Sequence, residues 1–129
     1  MKVQIFNCNV EVIRSNRVIF TPDKFTSTLS KTILWGRDGS LKTANGYTTS
    51  ELTPLPFKNV TISIENTGYS HVDGFATFAL YDSNGNFIIA GSDGDNKEIN
   101  TENHPTATQF RVSWNQSASP TITFIKNPS

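Results

Sequence analysis

Asn59-Val60-Thr61-Ile62-Ser63-Ile64-Glu65 decides how this chain folds. Val60, Ile62 and Ile64 fall on one side of an extended chain, Thr61 and Ser63 on the other. Period-two alternation of this kind predicts a strand with one buried and one wet face, as in antiparallel sheets. Two later stretches repeat it. In Thr108–Trp114 the apolar side is Phe110, Val112 and Trp114, against Arg111 and Ser113. In Thr121–Ile125 it is Ile122 and Phe124, against Thr121 and Thr123. Phe75–Tyr81 and Asn86–Ala90 are more continuously apolar. Between them lies Asp82-Ser83-Asn84-Gly85, where Asn-Gly predicts a hairpin because both residues tolerate positive φ. Gly91–Asn96 reads as a polar loop and Lys97–Asn100 as a short strand.

The N-terminal third is less regular. Lys2–Phe6 and Asn9–Ile13 are strand-like, and a turn at Ser15-Asn16 leads to Arg17–Phe20 as the second arm of a hairpin. Pro22–Ser30 reads as a loop or a single helical turn. Thr32–Trp35 is strand-like, and Arg37-Asp38-Gly39 is a turn. No segment keeps a 3.6-residue apolar stripe for three turns. The expectation is an all-β fold, an antiparallel two-sheet sandwich of jelly-roll type with an N-terminal β-hairpin or arm. Residues 1–34 form the arm and residues 35–129 the sandwich, within one compact unit.

Composition agrees. The 129 residues suit one domain. Eleven basic and eleven acidic side chains leave no net charge, which argues against nucleic acid bound through a broad basic field and against a polybasic membrane-surface protein. No apolar run approaches the ~20 residues of a bilayer span. The start, Met1-Lys2-Val3-Gln4-Ile5-Phe6, lacks the apolar core and small-residue cleavage site of a signal peptide. Cys8 is the only cysteine, so an intrachain disulfide and a Cys-rich zinc site are excluded. It reads as a buried thiol. Thr, Ser and Asn supply about a third of the chain, and Phe, Tyr and Trp 11%. Such a mixture suits β-sandwiches and surface-glycan binders better than helical enzymes.

Three stretches in order, residues 47–62 (Tyr47-Thr48-Thr49-Ser50 to Pro54-Leu55-Pro56), residues 78–88 (Phe78-Ala79-Leu80-Tyr81-Asp82-Ser83-Asn84-Gly85) and residues 107–113 (Phe110-Arg111-Val112-Ser113), carry a resemblance. The chain resembles the jelly-roll-like β-sandwich modules of bacteriophage tail, baseplate and fibre proteins, over roughly residues 35–126. The resemblance implies a non-catalytic virion module, often glycan-binding, assembled in the host cytoplasm into a homo-oligomer alongside other virion subunits. It implies a bacterial surface polysaccharide as partner. The N-terminal arm can complete the sandwich by pairing at an edge or, as the resemblance implies, add to a neighbouring subunit's sheet.

Sugars stack their C–H faces on exposed rings while polar groups bond their hydroxyls. Trp35-Gly36-Arg37-Asp38 sets a flat ring beside a cation and an anion at a strand end. Trp35 and Tyr69 are therefore the candidate stacking rings, with Arg37, Asp38 and Asn45 as hydrogen-bonding groups. The competing reading makes Trp35 a plug for the end of the sandwich and leaves Arg37 and Asp38 in a solvated turn. Trp114 and Tyr47 read as core. Asp93 and Asp95 have oxygens suited to calcium. The run Asp82, Asn84, Asn86, Asp93 imitates an EF-hand spacing but puts Phe87 where the sharp-turn glycine belongs, so turn chemistry is preferred and no metal or cofactor is expected. His71 and His104 lie near no Gly-x-Ser-x-Gly elbow, and no glycine-rich phosphate loop is present. No enzyme activity is expected. The alternative to glycan binding is a purely structural virion protein, a capsid decoration or baseplate subunit.

Overall fold

A computed structural model describes residues 16–21, 25, 27–68, 74–91 and 99–128. The expected strands at Lys2–Phe6 and Asn9–Ile13, Cys8, Tyr69, His71 and the Asp93/Asp95 loop lie outside them. Apart from a single 3-10 turn at Thr101–Asn103, every regular element among the described residues is a strand. In chain order they are β1 (Arg17–Phe20), β2 (Thr28–Trp35), β3 (Leu41–Ser50), β4 (Thr53–Pro54), β5 (Val60–Glu65), β6 (Phe75–Ala76), β7 (Phe78–Tyr81), β8 (Phe87–Gly91), β9 (Ile99–Asn100), β10 (Gln109–Asn115) and β11 (Thr121–Lys126).

Two antiparallel sheets face each other. One has four strands in the order β1-β11-β5-β9. The other has seven, in the order β6-β2-β3-β10-β7-β8, with β4 also pairing with β10. The pairing is nested. β1 pairs with β11, β3 with β10, β5 with β9 and β7 with β8. That nesting, outermost with outermost and innermost with innermost, is the wrap of a jelly roll.

Alternation explains the inner core. Val60, Ile62, Ile64, Ile122 and Phe124 of the smaller sheet meet Phe78, Leu80, Phe110, Val112 and Trp114 of the larger. Phe110 is the hub. Its ring lies 4.9 Å from Phe124, 5.5 Å from Phe20 and 5.7 Å from Phe78. Phe25 stacks on Trp114 with centroids 5.7 Å apart. Trp114 therefore belongs to the core, as its place in the alternation predicts. Tyr47 is only half-buried, so the expectation of a core tyrosine is too strong.

Other expectations need correction. Pro22–Ser30 is not loop throughout, because β2 begins at Thr28. Leu41–Ser50 is a ten-residue strand that alternation does not reveal. Its residues pair mainly through backbone and hydroxyl groups. The β7–β8 turn also differs in detail. Gly85 has φ +82° while Asn84 keeps negative φ. The ladder slips by one residue between Leu80 and Tyr81, as in a turn closed by a glycine bulge. Asp82 drives it: its carboxylate accepts from the backbone N–H of Asn84 and of Asn86, both at 2.9 Å. Those bonds, the one from Asn86 first, hold its carboxyl below the usual carboxylate range.

The β2–β3 hairpin positions the surface of interest. Ser30 pairs with Thr48 and Thr32 with Thr43, so four residues of β3 stand opposite Lys31 alone. Lys31 takes a positive φ of 57°. This irregularity bends the hairpin, and its distal half pairs with β6 through Leu34 opposite Ala76 and Trp35 opposite Phe75. β6 runs on into β7, which pairs with β10. β2, β3, β10 and β6–β7 thus close a circuit. Inside it, a buried relay replaces ladder bonds. Leu34 N–H donates to Ser113 Oγ (3.0 Å), Ser113 Oγ lies 2.7 Å from Thr49 Oγ1, and Thr49 Oγ1 donates to the Thr32 carbonyl (3.0 Å). Every buried polar group in it has a partner, so burial carries little penalty.

Candidate functional site

The bent hairpin lays its tip across the outer face of β7 and β8. Leu34, Ala76, Ala79 and Tyr81 form a second buried cluster there, with Leu41, Leu52, Phe87 and Ala90 packed against it. This is why Phe78–Tyr81 reads as continuously apolar: Phe78 and Leu80 face the inner core, Ala79 and Tyr81 the outer one. Two contacts clamp the tip. Tyr81 Oη donates to the Gly39 carbonyl at 2.6 Å. Gly39, at φ +72°, sits so close to the Phe87 ring that a Cβ would fall 2.4 Å from it. Burial pushes the Tyr81 hydroxyl up to about 12, with nearby Arg111 opposing the shift.

Trp35 ends β2 beside this clamp, half-buried. Its ring meets Phe75 edge-on, centroids 5.5 Å apart. A Cβ on Gly74 would fall 2.3 Å from the indole, so only glycine lets the chain pass the ring so closely. Two exposed cations reach the same ring. The Lys42 Nζ is 5.5 Å from its centroid and the Arg37 guanidinium carbon 5.8 Å. Such contacts contribute about 0.5–1 kcal/mol at exposed positions.

Asp38 is spoken for locally. Its Oδ1 accepts from Ser40 Oγ at 2.7 Å and Ser40 N–H at 2.9 Å. Those two bonds, with Lys42 nearby, hold its carboxyl below the usual range. Asn45 is exposed on β3, five residues past Ser40, which is roughly 15 Å along a strand. The fold therefore gathers Trp35, Arg37 and Asp38 at one hairpin tip, sets Asn45 away from them, and leaves Tyr69 outside the described residues. Sequence reasoning missed Lys42, Gly74 and Phe75. Lys42 arrives across the hairpin and Gly74-Phe75 from the neighbouring strand, so no local motif joins them to Trp35.

Away from the hairpin tip, a concavity of about 270 Å³ is lined by Leu55, Pro56, Phe57, Lys58, Pro105, Ala107 and Thr108. His104 lies next to it, its backbone N–H closing the 3-10 turn on the Thr101 carbonyl. Among the described residues no three His, Cys, Asp or Glu side chains converge on a point that could hold a metal, and no helix is long and apolar enough to cross a membrane. In comparisons with known proteins, no family model, no curated protein and no solved structure matches the chain.

Proposed function

We propose that this protein is a non-enzymatic module of a bacteriophage virion that binds a bacterial cell-surface glycan through the tip of the β2–β3 hairpin. The virion setting rests on the family resemblance of residues 35–126. The glycan reading rests on one observation above the others: a half-buried tryptophan, fixed by Gly74 and Phe75, with polar side chains at its rim. An aromatic held in this way can stack on a sugar without first being ordered, which lowers the entropic cost of binding. Arg37 and Lys42 lie over the ring, and their long exposed stems can swing aside, each giving up one weak cation–π contact. Single sites of this size bind weakly, so display in several copies would supply avidity.

A second reading, a purely structural virion subunit, is favoured by a separate observation. The Trp35 ring already has partners on several sides, as a packing residue does.

A screen of the purified protein, displayed multivalently, against bacterial surface polysaccharides separates the two. The glycan reading expects binding that Trp35→Ala abolishes in a protein that still unfolds in one cooperative transition. No binding to any polysaccharide leaves the structural reading.

A further inference from the structure

Resting on the glycan reading, we infer that the hairpin tip selects saccharides that carry negatively charged groups, carboxylate or phosphate, over neutral ones. Two cations, Lys42 from β3 and Arg37 from the turn, converge on one ring at 5.5 and 5.8 Å. Among the described residues neither lies within ion-pair distance of a carboxylate, whereas Arg111 on the same sheet is 3.7 Å from Glu51. Asp38 is the one described acid close by. Its carboxylate accepts two bonds from Ser40, which hold it in the turn. Among the described residues the tip thus carries two cations against one acid, although the whole chain is neutral. Positive charge gathered at one turn favours the approach of an anion there.

The chemistry divides cleanly between the parts. The indole offers a flat apolar face to the C–H side of a sugar ring. The guanidinium offers a planar fork that fits a carboxylate or phosphate with two bonds, and the ammonium adds a point charge. Both cations now rest on the aromatic face, so an acidic sugar replaces a weak cation–π contact with a charge-assisted hydrogen bond. A neutral sugar displaces them with no such return. The ring stays put while the cations move, because Gly74 and Phe75 hold it from the β6 side.

The test uses the full chain in multivalent display against polygalacturonate, a poly(glycerol phosphate)-bearing glycan, and neutral dextran and mannan, at low and high salt. The variants are Trp35→Ala and the double variant Arg37→Gln with Lys42→Gln. Both cations are exposed, so the double variant keeps the fold. The inference expects one or both anionic polymers to bind and the neutral ones not. It expects roughly five-fold weaker binding in the double variant, the size of two exposed charge contacts, a similar loss at high salt, and loss of binding in Trp35→Ala. Neutral polymers bound as well as anionic ones, with the double variant unaffected and Trp35→Ala inactive, would overturn the charge inference and leave the glycan reading standing. Anionic binding that Trp35→Ala does not change would reduce the effect to adsorption and overturn the inference. Binding to none of the four, together with a blank screen against surface polysaccharides, would overturn the glycan reading itself.

Discussion

The two faces of β7 are buried by different means. Its inner side, Phe78 and Leu80, packs in a dry aromatic core around Phe110, with residues from both sheets interlocked. Its outer side, Ala79 and Tyr81, is covered by one bent hairpin. That cover is held by a tyrosine hydroxyl, a glycine pressed on a ring and a relay of threonine and serine. The inner face follows from alternation alone. The outer face depends on single atoms at defined places. The difference teaches that the inner core makes the fold, while the outer one aims Trp35 and its neighbours.

The largest blow to this distinction comes from Phe110→Ala. Phe110 is fully buried and touches four other rings, so its loss removes transfer energy and leaves a cavity, about 4 kcal/mol in all. Chemical denaturation should show the whole domain destabilised, with both tryptophans reporting one transition. A change confined to the hairpin would mean that the two cores are not ranked as described.

Gly39→Ala strikes the outer face. A side chain there meets both a strained φ and the Phe87 ring, at an expected cost of about 2 kcal/mol. The sharper signature is local. Trp35 should become more mobile and more accessible to a fluorescence quencher, while Trp114, 6% exposed, stays protected. Equal changes at both tryptophans would erase the contrast between the faces.

The smallest effect appears as pH dependence. Tyr81 is held at about 12, above the ordinary tyrosine value of 10.0. Above pH 10 the unfolded chain gives up this proton while the folded chain still keeps it, so the unfolded state binds fewer protons and stability falls with rising pH. The contribution is intact below pH 10 and is lost as pH rises through the folded value. Tyr81→Phe should lower stability at neutral pH by about 1 kcal/mol, the worth of one hydrogen bond to Gly39. It should also flatten the decline between pH 10 and 12. Parallel curves for the two proteins would remove Tyr81 from the clamp.

Much of this architecture is legible in the sequence, and the unread parts have physical reasons. Val60, Ile62 and Ile64 announce β5 because one face of β5 is wet. β10 and β11 are read for the same reason. β3 escapes notice since its Thr and Ser side chains serve both buried and exposed positions. Thr49 and Ser50 are as buried as any core residue, yet no hydrophobicity pattern marks them. The bend at Lys31 is invisible as well, a non-glycine residue at positive φ. At the hairpin tip, the turn and its Trp35, Arg37 and Asp38 are contiguous in sequence and were readable together. Lys42 and Gly74-Phe75 join them only through strand pairing, which a single sequence does not state.

The nested pairing has a kinetic consequence. β11 lies between β1 and β5, with Arg17 opposite Ile125, so the β5–β9 pair can form early but β1 cannot join it until the sheet's latest-made strand exists. Every described pairing of β1 must wait for closure of nearly the whole described length, and such long closures slow folding. During synthesis the emerging chain will carry β1 and the β11-facing edge of β5 unjoined. Their union at β11 is the step at which a nascent chain becomes committed to this shape.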